Sequence, residues 1–144
     1  MPEIRLTAEE MRYIALFQDI TMATAKDCII DNNNNRIIFL VKEGQAGLAI
    51  GRGGSNVKRL NRLLGKDIEI VEYSEDFETL VKNIFAPARV RNIKLIKTSD
   101  GRKRLRVTVE PRDKGLAIGR GGRNIAKARL ILKRYYDIDE VVID

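Results

Sequence analysis

The octapeptide GLAIGRGG occurs twice in a chain of 144 residues, at Gly47–Gly54 and again at Gly115–Gly122, 68 positions on. The match extends beyond it. RIIFLVKEGQAGLAIGRGGSNVKRL (Arg36–Leu60) aligns with RLRVTVEPRDKGLAIGRGGRNIAKA (Arg104–Ala128), with apolar positions facing apolar positions on both sides of the identical core. Two copies of one supersecondary unit follow, each roughly 70 residues long. We place them at residues 1–73 and 74–144. Units this small bury too little surface to be robust alone, so the copies are expected to pack together.

Both copies read as the same order of elements. In LTAEEMRYIALFQDI, Thr7 and Glu10 form a capping-box pattern that opens a helix. Met11, Ile14, Ala15 and Gln18 mark one face of it, and Leu16, Phe17 and Ile20 are its other apolar residues. DCII and RIIFLV read as strands joined by the Asn-rich turn Asp31–Asn35. QAGLAI is a short helix that GRGG breaks, SNVKRLNRLL is a second helix, and DIEIVEY closes as a strand.

In the second copy Ser74 is the expected N-cap, with Glu75 and Asp76 suiting the positive end of a helix. Phe77, Leu80, Val81, Ile84 and Phe85 share one face, and Ala86-Pro87 stops the helix. VRNIKLIK and KRLRVTVE flank Ser99–Arg102, where Asp-Gly signals a hairpin. Pro111 suits the first position of the short helix, Arg123 to about Tyr136 forms a long one, and DEVVI is the last strand. Each copy is α-β-β-α-α-β, an α+β fold.

Three glycines per loop let the backbone turn sharply and be approached closely. The helix that follows begins with N–H groups that lack intrahelical partners, next to the positive end of the dipole, and phosphate is the usual occupant of such a place. Gly51, Arg52, Gly53, Gly54, Ser55, Asn56 and Lys58 are therefore candidate binding residues, with Arg59 adding positive charge. Gly119, Arg120, Gly121, Gly122, Arg123, Asn124 and Lys127 repeat the set. A tight helix–helix corner that merely needs glycine is the bland alternative, and the duplication with a basic tip weighs against it. Neither copy has the Gly-Lys-Ser/Thr ending of a P-loop or a G-x-G-x-x-G opening a helix after a strand. Asn56 and Asn124 either cap a helix start, touch a phosphate or read a base edge, with capping the default.

Charge points the same way. Residues 1–73 carry ten basic and ten acidic side chains, whereas residues 74–144 carry seventeen and ten. One-sided basic fields face polyanions, nucleic acid before membrane surfaces. GRKRLRV (Gly101–Val107) reads as a basic strand edge along a sugar-phosphate backbone or as a solvated face. Tyr135 and Tyr136 could stack on bases, but near the end of an amphipathic helix core packing competes.

AIGRGGSNVKRL and AIGRGGRNIAKA resemble the I-G-x-x-G-x-x-I/V signature of KH domains, which bind single-stranded nucleic acid. The element order resembles the type II KH fold, a three-stranded sheet with helices on one face. Two such domains in tandem resemble the KH pair of the NusA transcription-factor family in its short archaeal-type form. The resemblance implies single-stranded RNA as ligand, a role in transcription termination or antitermination, and RNA polymerase as partner. It also implies that Ile50, Val57, Ile118 and Ile125 form or support the groove floors beside the loops, although plain core packing explains them equally. A ribosome-associated or ribosome-assembly KH protein is the alternative, and the missing GTPase motifs weigh against an assembly GTPase. A further reading makes copy one, with its net charge of zero, mainly a protein-docking scaffold.

Nothing in the chain requires catalysis. Histidine, the commonest general base, is absent, and Cys28 in its apolar run reads as an inert core thiol. We expect no cofactor, no metal, no small-molecule substrate and no membrane association. The opening MPEIRLTAEEMRY has no apolar signal-peptide core, and no run approaches the ~20 apolar residues that span a bilayer, so a cytoplasmic location is expected.

Overall fold

A computed structural model describes residues 3–144. The chain forms two compact units, one of Arg5–Glu75 and one containing Asp76–Asp144. Each holds a three-stranded mixed sheet and three α-helices in the order α-β-β-α-α-β, the two-KH architecture expected from the sequence.

In the first unit, α1 (Ala8–Thr21) starts on a complete capping box. Glu10 N donates to Thr7 Oγ1 at 3.1 Å, and Thr7 N donates to Glu10 Oε1 at 2.8 Å. The buried face of α1 differs from the expected one. Met11 and Ala15 are exposed, and Phe17 is fully buried, stacked on Phe39 with ring centroids 4.2 Å apart. Burying one aromatic ring removes far more apolar area from water than burying Ala15, so Phe17 sets the helix rotation. Gln18 is half-buried for a polar reason: its Oε1 accepts from Ala25 N at 3.0 Å.

Strands β1 (Ala25–Asp31) and β2 (Arg36–Val41) pair antiparallel across a 3₁₀ turn at Asn32–Asn34. The crossover α2 (Ala46–Ile50) and α3 (Ser55–Leu64) brings β3 (Asp67–Glu72) parallel to β2, which is the middle strand. All six residues of β2 are buried, as a near-continuous apolar run requires. Its first residue, Arg36, is buried as well. Its Nε donates to Asp31 Oδ2 at 2.7 Å, its guanidinium also pairs with Glu69, and Asn34 Nδ2 donates to the same Asp31 oxygen at 2.9 Å. Burial alone would raise the Asp31 pKa, but the bonds from Arg36 and Asn34 outweigh it and hold the carboxyl below its ordinary value. Cys28 lies buried in β1 among the apolar side chains, as a core thiol.

The second unit repeats the topology with α4 (Phe77–Phe85), β4 (Val90–Lys97), β5 (Lys103–Val109), α5 (Lys114–Ile118), α6 (Arg123–Tyr136) and β6 (Glu140–Ile143). The N-cap of α4 is Asp76, not Ser74: Asp76 Oδ2 accepts from Thr79 N at 3.0 Å, whereas Ser74 is buried. A carboxylate on the first-turn amides also meets the dipole, which a hydroxyl cannot do. Pro111 opens a separate 3₁₀ turn, Pro111–Asp113, which leads into α5. Leu80, Val81, Ile84 and Phe85 are all fully buried, as their spacing predicts. The basic segment GRKRLRV forms no strand edge, because β5 lies between β4 and β6. Tyr135 is buried and Tyr136 packs edge-on against Phe77 with centroids 4.7 Å apart, so α6 offers neither ring as a stacking platform. Among the described residues no helix is long and apolar enough to cross a membrane.

Candidate nucleic-acid interface

The two GRGG loops have the same shape. Gly51 and Gly119 have φ/ψ of 78°/167° and 79°/165°. Gly53 and Gly121 lie at 62°/21° and 63°/20°. The first pair occupies a region open essentially only to glycine. A Cβ on Gly51 would come within 2.8 Å of Ser55 Oγ and 2.9 Å of the Asn56 side chain, and one on Gly119 within 2.8 Å of the Asn124 backbone nitrogen. The tip is different: a Cβ on Gly53 or Gly121 would meet nothing within 4 Å, so these glycines serve the left-handed turn and leave open space in front of the backbone.

Asn56 and Asn124 hold this shape, and they do so in a way the sequence did not suggest. Asn56 Nδ2 donates to Leu48 O at 3.2 Å and Asn124 Nδ2 to Leu116 O at 2.7 Å, so each amide ties the new helix to the short helix before the loop. The expected capping role is not what these side chains perform. The N-caps are Gly54 and Gly122, and no side chain caps either helix start. Ser55 N and Arg123 N donate to Arg52 O and Arg120 O within the loops, so it is the later first-turn amides and the positive dipole end that no side chain occupies.

Arg52 and Arg120 are exposed at the two tips, and neither has an ion-pair partner among the described residues. Ser55 is exposed and Lys58 stands beside the first loop, while Arg123 is half-buried beside the second. Lys127 departs from expectation: it is only 7% exposed, next to buried Ala128 and Ile131 in α6, rather than an open cation beside the loop. Of the proposed groove residues, Ile50 is exposed and Ile118 half-buried, whereas Val57 packs against the first unit's core. Ile125 is half-buried.

Sequence reasoning passed over Leu48 and Leu116, which are 50% and 47% exposed on the turn before each loop. The signal was available, because Leu-Ala-Ile on a five-residue helix cannot turn every side chain inward. Ala49 and Ala117 take the buried position, and their larger neighbours stay out.

Five arginines among the seventeen basic residues in the second half are engaged in ion pairs with acidic neighbours. Arg89 pairs with Asp113, Arg91 with Glu110, Arg102 and Arg104 with Glu140, and Arg106 with Asp144. The Arg89 hydrogen bond holds the Asp113 carboxyl below its ordinary pKa. Among the described residues no group of three or more potential ligands is arranged to hold a metal ion.

A GRGG turn between two helices, flanked by exposed aliphatic side chains on an α-β-β-α-α-β unit, defines the KH class, and this chain has it twice. The KH domain family profile matches residues 11–96, and that of the NusA-like second KH domain matches residues 77–142. The chain is 34% identical over 143 residues to the probable transcription termination protein NusA of Methanocaldococcus jannaschii, covering 99% of this chain and 76% of that protein. It is 38% identical over 138 residues to the protein of the same name from Halobacterium salinarum, covering 96% of each. Among solved structures, APE1850 matches at 49% identity with a TM-score of 0.89, covering 96% of this chain and 100% of that one. The chain belongs to the NusA-like family of tandem KH proteins.

Proposed function

We propose that this protein binds single-stranded RNA through both GRGG loops and acts as a factor in transcription termination or antitermination, with RNA polymerase as its protein partner. The KH domains are residues 1–73 and 74–144, each contributing one clamp. The observation that carries this reading is the duplicated loop: two turns with matching dihedrals, an arginine at each tip without an ion-pair partner among the described residues, and a helix start behind it that none of their side chains caps. Such a loop holds the backbone of about four nucleotides while bases lie along the aliphatic flank. Gly51, Arg52, Gly53, Gly54, Ser55, Asn56 and Lys58 form the first binding set, and Gly119 to Asn124 the second. Lys127 drops out because it is buried. The names of the relatives support transcription rather than the ribosome as the setting.

The test is fluorescence anisotropy of short RNA pools across a salt series, comparing native protein with Arg52→Asp/Gly53→Asp, with Arg120→Asp/Gly121→Asp, and with all four changes. Removing one phosphate–cation interaction flattens the log–log salt slope by about 0.7. Weakening by each pair and loss of binding with both supports the two clamps. Native-like binding by the four-fold variant refutes them. Copurification with polymerase rather than with ribosomal subunits tests the setting.

A further inference from the structure

We propose that the RNA path at the first loop continues along the outer face of α3, where Arg59 and Arg62, beyond Lys58 of the loop's own set, hold the phosphates that follow the clamped nucleotides. This rests on the RNA-binding reading above. Ser55, Lys58, Arg59 and Arg62 stand at i, i+3, i+4 and i+7 and share one helix face. Ser55, Lys58, Arg59 and Arg62 are all exposed, and the stripe rises about 10 Å from the base of the loop.

Among the described residues none of the three cations has an ion-pair partner, and α3 (SNVKRLNRLL) contains no acidic residue. That is an unfavourable arrangement for the helix alone, since Lys58 and Arg62 are like charges four apart. A solubilising helix face ordinarily interleaves acids with bases, as Lys133 does with Asp137 at the end of α6. A row of phosphates would supply the missing negative charge.

The stripe is also held in place. Leu60 on the opposite side is fully buried, and Val57 and Leu64 pack on the same core. Asn61 Nδ2 donates to Lys66 O at 2.8 Å and secures the far end of the helix. The second copy lacks the feature, because the matching positions of α6 are Ala126, the buried Lys127 and Leu130. The track therefore belongs to the copy whose formal net charge is zero.

The experiment compares Arg59→Gln/Arg62→Gln with Lys94→Gln/Lys97→Gln, which removes the same charge from exposed sites elsewhere. Both are titrated with single-stranded RNA pools of about four nucleotides, enough to fill one clamp, and about three times that length. The stripe variant is expected to flatten the salt slope by about 1.4 on the longer RNA, two phosphates at about 0.7 each, and to match native protein on the short one. The control variant should match native protein on both.

A native slope for the stripe variant on long RNA overturns the proposal, and so does an equal flattening by the control. If the stripe variant keeps its RNA slope but no longer copurifies with polymerase, the stripe is a protein-docking face, and the proposal is wrong. Native-like binding by Arg52→Asp/Gly53→Asp would instead sink the reading of the first loop as an RNA clamp, on which this one rests. Thermal melts of each variant check that the fold is retained.

Discussion

Asn56 and Asn124 show how much of a binding loop is decided by side chains whose hydrogen bonds face inward. Each amide spans eight residues back to a leucine carbonyl, across a turn whose shape it helps to set. Removing one such hydrogen bond costs about 1 kcal/mol. By that measure Asn56→Ala and Asn124→Ala should each weaken RNA binding about fivefold in anisotropy titrations, with little change in salt slope because the charges facing the phosphates are untouched. The glycines invite a sharper comparison. Alanine at either Gly51 or Gly119 enters a glycine-only region at about 1–3 kcal/mol. At Gly51 the new methyl meets side chains of Ser55 and Asn56, which can turn away, but at Gly119 it meets the Asn124 backbone nitrogen. Calorimetric melting should therefore show the larger loss for Gly119→Ala. That the loop glycines matter was legible in the repeat itself. The asparagine tether was not, because an eight-residue reach exists only once the loop's dihedrals are known.

At the scale of elements, the sequence patterns located every α-helix and strand, and failed where two side chains compete for one role. The face expected of α1 counts Met11 and Ala15, but the stacking of Phe17 on Phe39 rotates them to solvent. Arg36 was equally hidden: it reads only as the first residue of the strand RIIFLV, and nothing in the sequence marks its guanidinium as buried at the head of β2. Removing one partner of a buried ion pair costs about 3–5 kcal/mol, since the remaining charge has nowhere to go. Asp31→Ala should destabilise the first unit by that order in denaturant titrations. The pair also makes a pH dependence. Asp31 has a folded pKa below its ordinary 3.8, so its contribution is present above that value and is lost as pH falls through the depressed one. Melting temperatures between about pH 5 and the acid range below that depressed value should fall less steeply for Asp31→Asn than for native protein.

For the whole molecule, charge counts were a poor guide to where charge is available. Residues 74–144 hold the formal surplus, yet five of their arginines are engaged by Asp113, Glu110, Glu140 and Asp144. The first half sums to zero and still presents Arg52, Lys58, Arg59 and Arg62 without ion-pair partners among the described residues. A sum cannot separate the two cases, because pairing depends on strand register and helix phase. On the proposed reading of both loops as RNA clamps, the second binding step is intramolecular, which raises avidity by about 10²–10⁴ when one RNA reaches both. Disabling either loop should then weaken the affinity for a long RNA by about a hundredfold or more, and should only halve the number of sites seen by a four-nucleotide RNA; titrations at both lengths read this directly. The unequal surroundings of Gly51 and Gly119 carry a consequence for the protein's history. A methyl group that the first loop can absorb by turning two side chains aside is one the second loop must meet with its main chain. Two turns spelled alike are thus under unequal constraint, and in a lineage of such proteins substitutions should accumulate at the first glycine before the second.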